Sequence, residues 1–597
     1  MSIKREPEPD NFRSAVVKEE ETVGSALTSA PPKLYHTLTA CTRCRSRKTR
    51  CDAGLPRCGP CERSGSHCEF YDSTKGKTLP RNYVIHLQAK VRRLEEEIAR
   101  RQALLSEIED PDCDELVREI GMVSLGDDTD TSQKAEPRFV GTSSGINMTR
   151  LILDFTKKNI EPEAIREIVE GHRISAKEEP ESSQQQAQPS YTSGVQPAFY
   201  FPSREMTDKL IDTFMEQAQI LLPILHEPTF RQYVDDIYNG DRDPVKLFQL
   251  RMVLATALQR YGPESVAHAE QYYLAAYAQI EEIMEPKDLL TLQCVALLCQ
   301  YSIQTPTKIA VYHILGIAVR LCIQLGFSQE KTILLGDPPP DPLTEDLRRR
   351  LFWTIASFEY GVSHILGRPS GFATVDAYID VKFYQPVQDK YITREGVVEG
   401  APPCPLKLIS MHFFRLRRLQ AQIRQTLYQN PRPSPRDDRD PWFQEMKAKV
   451  EKWMSDAPGG RKAGITRDWF MHRYNNLIIF MYRPSPQIPK PSLDATLKCF
   501  DAAVKNIYLE KKMFEAGTSS SFVFAYQITI ALMAILWGIT CEKIRELHSK
   551  EVVKNHIDTA LAILKVLALK WPGTAASVDI IGQLSKAAFK SYDADER

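Results

Sequence analysis

The chain has 597 residues, and its 77 basic residues balance its 77 acidic ones. That length exceeds what one hydrophobic core organises, so two or more folded units joined by linkers are expected. The zero net charge excludes a uniformly basic or acidic protein, so a charged partner has to be sought in local clusters.

The start, Met1-Ser2-Ile3-Lys4-Arg5-Glu6-Pro7, lacks the apolar segment of a secretory signal. A reducing nuclear or cytosolic compartment is therefore expected, in which clustered cysteines act as metal ligands rather than disulfides. Residues 1–40 are polar, charged and without hydrophobic period, and are expected to be a disordered tail.

Six of the 13 cysteines fall in residues 41–68: Cys41, Cys44, Cys51, Cys58, Cys61 and Cys68. The offsets 0, 3 and 10 occur twice, which is an internal pseudo-repeat. Structural zinc takes four thiolates in a tetrahedron, so a single ion leaves two cysteines idle. Two Zn²⁺ need eight bonds from six sulfurs, so two sulfurs must bridge. The repeat makes Cys41 and Cys58 the symmetric choice.

Between the ligands lie seven basic residues, Arg43, Arg45, Arg47, Lys48, Arg50, Arg57 and Arg63, against the acidic Asp52 and Glu62. Such density is an electrostatic footprint for phosphate and predicts double-stranded DNA as partner. A zinc-dependent interaction module that does not read DNA is the alternative. It has no need of basic residues between its ligands.

The cysteine spacing, with Pro56 in the loop joining the halves, resembles the galactose-regulator class of fungal binuclear zinc cluster transcription factors. The resemblance implies Cys41 and Cys58 as the bridges. It also implies Arg47 and Lys48 as the base-contacting pair on a CGG-type triplet, leaving Arg43, Arg45 and Arg50 for phosphate. Nuclear localisation follows from such a role, and the basic run itself suits an import signal.

Residues 69–83 read as a short basic linker. From there Val84, Leu87, Val91, Leu94, Ile98, Leu105 and Ile108 follow alternating three- and four-residue steps, with Arg101 the one flaw. Val or Ile at a with Leu at d favours a parallel coiled coil over 84–110 and hence a homodimer. The run from Lys75 to Val84 resembles the linkers of the pyrimidine-pathway and purine-utilisation regulators. That likeness implies a folded-back linker and inverted CGG triplets on the order of six base pairs apart.

Residues 111–203 read mostly as a disordered acidic and polar linker, with a short helix from Asn147 to Phe155. The acidic stretch from Glu107 to Glu115 suits either recruitment of transcriptional coactivators or a solvated linker.

From about residue 204 onward the apolar spacing is helical, and the fold class is mainly α: the small zinc cluster, the coil and a large all-α regulatory domain. Leu222-Pro223-Ile224-Leu225-His226 and the run from Arg348 to Trp353, with Gly367-Arg368-Pro369, resemble the fungal transcription factor middle homology domain. On this likeness the domain occupies 204–390, followed by a helical regulatory region over 391–597. Glu359-Tyr360 replaces the family's usual Asp-Arg pair.

Arg348, Arg349 and Arg350 are expected to pair or cap within the domain rather than touch DNA. His226 and His364 are expected to pack rather than bind metal. The uncharged stretch from Phe522 to Thr540 approaches the length of a membrane span. It reads better as a buried helix, so no membrane partner is expected. No phosphate loop or nucleophile elbow appears, which excludes the commonest enzyme classes. The chain therefore reads as a DNA-binding regulator of RNA polymerase II genes, of the pathway-specific or secondary-metabolite type.

Overall fold

A computed structural model describes residues 40–52, 54, 57–72, 77–80, 141–159, 195–261, 264–305, 311–372, 379–429, 432–459, 465–517, 521–569, 571 and 573–595. The chain divides into two compact units at Glu109 and Asp110.

The first unit contains helices α1 (Thr42–Ser46) and α2 (Gly59–Arg63) and strands β1 (Glu69–Asp72) and β2 (Lys77–Pro80). Its buried cluster, among the described residues, is made of cysteines alone. The strands pair antiparallel, Glu69 opposite Pro80 and Asp72 opposite Lys77. The segment expected as a plain linker thus turns back on itself. Thr42 Oγ1 donates to the Glu69 carbonyl at 3.2 Å and ties the hairpin to α1. The heptad residues Val84 to Ile108 lie outside the described residues.

The second unit is helical. It begins with α3 (Ile146–Asn159), α4 (Arg204–Thr213), α5 (Glu227–Tyr238), α6 (Pro244–Leu258), α7 (Glu264–Tyr277) and α8 (Ile280–Met284). It continues with α9 (Leu289–Ser302), α10 (Val311–Gln324), α11 (Glu330–Ile333), α12 (Pro342–Leu366), α13 (Pro405–Leu427) and α14 (Pro441–Ser455). The last helices are α15 (Arg467–Tyr482), α16 (Leu493–Glu515), α17 (Phe522–Gly538), α18 (Glu542–Leu547), α19 (Lys550–Ala568) and α20 (Gly573–Asp595).

Asp-Pro pairs start three of these helices. Asp243, Asp341 and Asp440 accept backbone N–H bonds at the first turns of α6, α12 and α14, each with proline at the next position. The aspartate satisfies an orphan donor, and the proline occupies a site whose N–H has no helical partner.

Helix α12 ends at Gly367, whose φ of 66° is left-handed. Gly141 donates to the Leu366 carbonyl at 3.1 Å, and a Cβ on Gly141 would lie 2.0 Å from the Gly367 carbonyl oxygen. This glycine crossing pins the chain before α3, and Met148 and Ile152 of α3 are fully buried. The predicted short helix is therefore part of the helical core rather than an island in a linker.

Helix α17 is buried around nearly its whole circumference, as expected of an apolar helix at the centre of a large domain. Among the described residues no helix is long and apolar enough to cross a membrane.

The three consecutive arginines are consumed inside this unit. Arg348 donates to the Ile333 and Leu335 carbonyls at 2.7 and 2.9 Å. Arg349 pairs with Glu330 at 2.7 Å and Glu345 at 3.3 Å. Arg350 is fully buried, with Nε 2.6 Å from Asp346 and Nη2 2.7 Å from Asp389. Lys407 on α13 reaches the same Asp389 oxygen at 2.7 Å. The other Asp389 oxygen accepts the Glu227 N–H at the start of α5, and its carbonyl meets His226 Nε2.

One carboxylate thus holds α5, α12 and α13 together. Burial pushes the Asp389 carboxyl up, but Arg350 and Lys407 outweigh it and hold it well below the usual carboxylate range. A depressed carboxylate contributes stability above its unfolded pKa, about 4. That contribution fades as pH falls below this range. Asp389→Asn leaves Arg350 and Lys407 short of a counter-charge in the interior. It should cost about 3–5 kcal/mol in urea unfolding at neutral pH. The gap between variant and wild type should narrow as pH falls below about 4.

Candidate metal centre and nucleic-acid interface

The two halves of the cysteine repeat fold alike. Cys41 is the N-cap of α1 and Cys58 that of α2. The N–H of Cys44 donates to Cys41 Sγ at 3.3 Å. The N–H of Cys41 reaches Cys51 Sγ at 3.4 Å, and ten residues apart again, the N–H of Cys58 reaches Cys68 Sγ at 3.5 Å.

The sulfurs gather into two tetrads. Cys41, Cys44, Cys51 and Cys58 form one, and Cys41, Cys58, Cys61 and Cys68 the other, so Cys41 and Cys58 belong to both. No disulfide links them. A tetrahedron with Zn–S bonds of about 2.3 Å has S···S edges of about 3.8 Å. The separations are 3.8 Å for Cys41–Cys58 and 3.6 Å for both Cys41–Cys61 and Cys44–Cys58. The donor set and its spacing fit two zinc ions.

The thiol chemistry points the same way. Burial pushes Cys41 up to about 12 and drives Cys58 higher still. On Cys61 burial is outweighed by hydrogen bonds from Cys58 and Arg43, and the thiol falls to about 7. Six sulfurs this crowded are not stable as thiolates by themselves; a divalent metal supplies the charge that keeps them deprotonated.

Arg43 Nη1 lies 3.7 Å from Cys61 Sγ and 3.4 Å from the Pro60 carbonyl. This arginine is half-buried against the sulfur cluster, whereas Arg45, Arg47, Lys48 and Arg50 are exposed. They lie on α1 and the segment that follows it.

That turn carries an unexpected strain. The N–H of Lys48 donates to the Arg45 carbonyl and that of Thr49 to the Cys44 carbonyl. This is a complete Schellman ending, with Lys48 at the left-handed position, φ 50°. In the second half the same bonds run from Gly65 to Glu62 and from Ser66 to Cys61, with Gly65 at φ 62°. The repeat thus places lysine where its twin uses glycine. A side chain in this conformation costs about 1 kcal/mol, and such outliers collect where function requires them.

Sequence reasoning also passed over Asp52. Both its carboxylate oxygens accept the Gly59 N–H at 2.9 Å, and one accepts Gly54 N–H at 3.1 Å. It caps α2, whose N-cap Cys58 offers no side-chain bond of its own. Its position as one of two acids in a basic segment was the available signal.

Residues 39–78 match the family described as the fungal Zn(2)-Cys(6) binuclear cluster domain, and residues 211–455 match the fungal specific transcription factor domain. The chain thus carries matches to both domains of fungal Zn2Cys6 transcription factors. The family's cluster binds two zinc ions.

The chain is 24% identical to the "Positive regulator of purine utilization" of Emericella nidulans, over 93% of this chain and 69% of the relative. It is 23% identical to the "Transcriptional activator protein acu-15" of Neurospora crassa, over 91% of this chain and 62% of the relative. With the "Pyrimidine pathway regulatory protein 1" of Saccharomyces cerevisiae it shares 27% identity over 45% of this chain and 30% of the relative. These relatives are transcription regulators rather than enzymes.

The strained turn yields a direct test. Lys48→Gly should relieve about 1 kcal/mol of backbone strain and leave the cysteine fold at least as resistant to a competing chelator. The substitution of Gly65 by Ala should weaken that resistance. A Lys48→Gly protein that loses metal more readily than wild type contradicts the strain assignment.

Proposed function

We propose that this transcription factor reads inverted CGG-type half-sites as a homodimer in the nucleus, with Cys41 and Cys58 bridging its two zinc ions. The observation that carries the reading is the strained Lys48, presented with Arg47 at the exposed end of a helix that the sulfur tetrads hold. Arginine or lysine so placed reaches guanine O6 and N7 in the major groove. Arg45 and Arg50 flank this pair and suit phosphate contacts, which position the domain without reading sequence. Arg43 lies against the sulfur cluster, where its charge offsets the excess thiolate charge and its free N–H groups can meet phosphate.

The proposed dimer seam is Val84, Leu87, Val91, Leu94, Ile98, Leu105 and Ile108. A parallel coil there tethers two readers, so each raises the local concentration of the other at a paired site. The hairpin of β1 and β2 lies between cluster and coil in the chain, which supports a folded-back linker that sets half-site spacing. Recruitment of coactivators through the acidic stretch after the coil belongs to the same reading.

Binding measurements separate these roles. Lys48→Ala should weaken binding to a CGG site by about 1–3 kcal/mol with little effect on unrelated DNA. Arg50→Ala should weaken both alike and reduce the salt slope by about one. Equal proportional losses on both DNAs in both variants contradict the assignment.

For the dimer, replacing Leu87 and Leu94 together by alanine removes two d-position side chains, each costing about 2–5 kcal/mol when buried. The double variant should bind a paired inverted site no better than a single half-site. A retained preference for the paired site places the seam elsewhere.

A further inference from the structure

Three arginines of the helical unit line a cavity that has no acidic side chain in its wall among the described residues. The cavity measures about 220 Å³ and lies where α12 and α13 meet α15 and α17. Arg417 on α13, Arg473 on α15 and Arg483 just beyond α15 all line it. Among the described residues none of the three forms an ion pair.

Their contacts are uncharged. Arg417 donates to Gln420 Oε1 at 2.7 Å and stands 4.8 Å over the Phe413 ring. Arg473 stands 4.9 Å over the Trp469 ring. Arg483 donates to the Tyr428 hydroxyl at 3.0 Å and the Ser143 carbonyl at 2.5 Å. Further donors remain unused: Nε of Arg417, Nε of Arg473 and Nδ2 of Asn476 are shut off from water and meet no acceptor among the described residues. All three residues line the cavity.

Buried cations without counter-charge are costly, and gathering several multiplies the cost. Burial and the neighbouring Arg473 pull Arg417 down to about 9, and burial pulls Arg473 down to about 10. Burial and then Arg483, Arg424 and Arg417 hold His364, on the same wall, well below its ordinary value. The nearest acid, Glu510, lies outside the cavity lining, and its charge acts on Arg473 but not on Arg417. Its carboxylate faces His472 at 2.8 Å, and burial drives its pKa well up. By contrast, Arg350 in the same unit has two carboxylates of its own.

The remaining wall is largely apolar, with Phe413, Ile479, Phe480 and Val523. An apolar cavity of about 150 Å³ accepts a benzene ring, so this one has room for a single ring and a charged group.

We propose that this cavity binds a small organic anion, a carboxylate on a compact single-ring body, with Arg417 and Arg473 as its principal charge partners. The missing counter-charge then comes from the ligand, in charge-assisted bonds to guanidinium groups. Helices α12 and α13 fall within the matched segment 211–455, and α15 and α17 lie beyond it. A bound anion would join the two sets. The inference is independent of how the cluster reads DNA.

The test is thermal unfolding of the full chain at constant ionic strength with benzoate, benzamide or inorganic phosphate. Benzoate at tens of millimolar should raise Tm, while its neutral isostere benzamide and phosphate should not. Arg473→Gln and Arg417→Gln should each raise the Tm of the free protein and weaken benzoate binding about tenfold or more. No benzoate shift, an equal shift with benzamide, or a shift with phosphate as large as that with benzoate overturns the proposal. So does a folded Arg473→Gln protein that keeps the full benzoate response. Should either variant fail to fold, the three-ligand comparison on the unaltered chain decides.

Discussion

The structure of the first unit depends on two sulfurs that each belong to two tetrads. Helices α1 and α2 are five residues long, too short to persist by their own hydrogen bonds. Each is anchored by its N-cap cysteine, Cys41 or Cys58, and those are the shared members of both tetrads. Without metal, the described residues of this unit have only a cluster of cysteines to offset chain entropy. With it, the backbone that carries the basic residues of α1 and its turn is held in one arrangement. The direction of Lys48, the docking of the hairpin through Thr42 and the cap from Asp52 all rest on this one arrangement.

The helical unit handles charge in two opposite ways. Around Asp389, buried cations are matched by carboxylates, and the network clamps three helices. Around Arg417 and Arg473, cations gather at a cavity that no acidic side chain lines among the described residues. The first arrangement is a structural device, costly to break but closed to outside groups. The second is stable only because the folded core holds it, and it leaves an electrostatic demand that a ligand can meet.

Much of the first unit was legible in the residues. The doubled 0, 3 and 10 offsets identified six ligands, and coordination arithmetic required two to be shared. The repeat even extends to the turns, since Lys48 and Gly65 are equivalent positions. Yet the left-handed backbone at Lys48 was not foreseen, because lysine is not a residue that advertises such a conformation. The β1–β2 hairpin escaped because four-residue strands with one polar and one mixed face carry no clear alternation.

In the helical unit, the uncharged α17 was readable from local chemistry. The placement of α3 in the core was not, since it depends on the crossing of Gly141 and Gly367, far apart in the chain. Arg417, Arg473 and Arg483 sit in sequence like any helix-surface cations. Only tertiary packing brings them to one cavity.

X-ray absorption at the zinc edge of the full chain tests the shared-sulfur account most directly. It predicts two zinc ions per chain, each with four sulfur neighbours at about 2.3 Å. It also predicts a zinc–zinc vector, which two bridging sulfurs require to be shorter than two Zn–S bonds laid end to end. One zinc per chain, a shell containing nitrogen or oxygen, or the absence of a short zinc–zinc vector would contradict it.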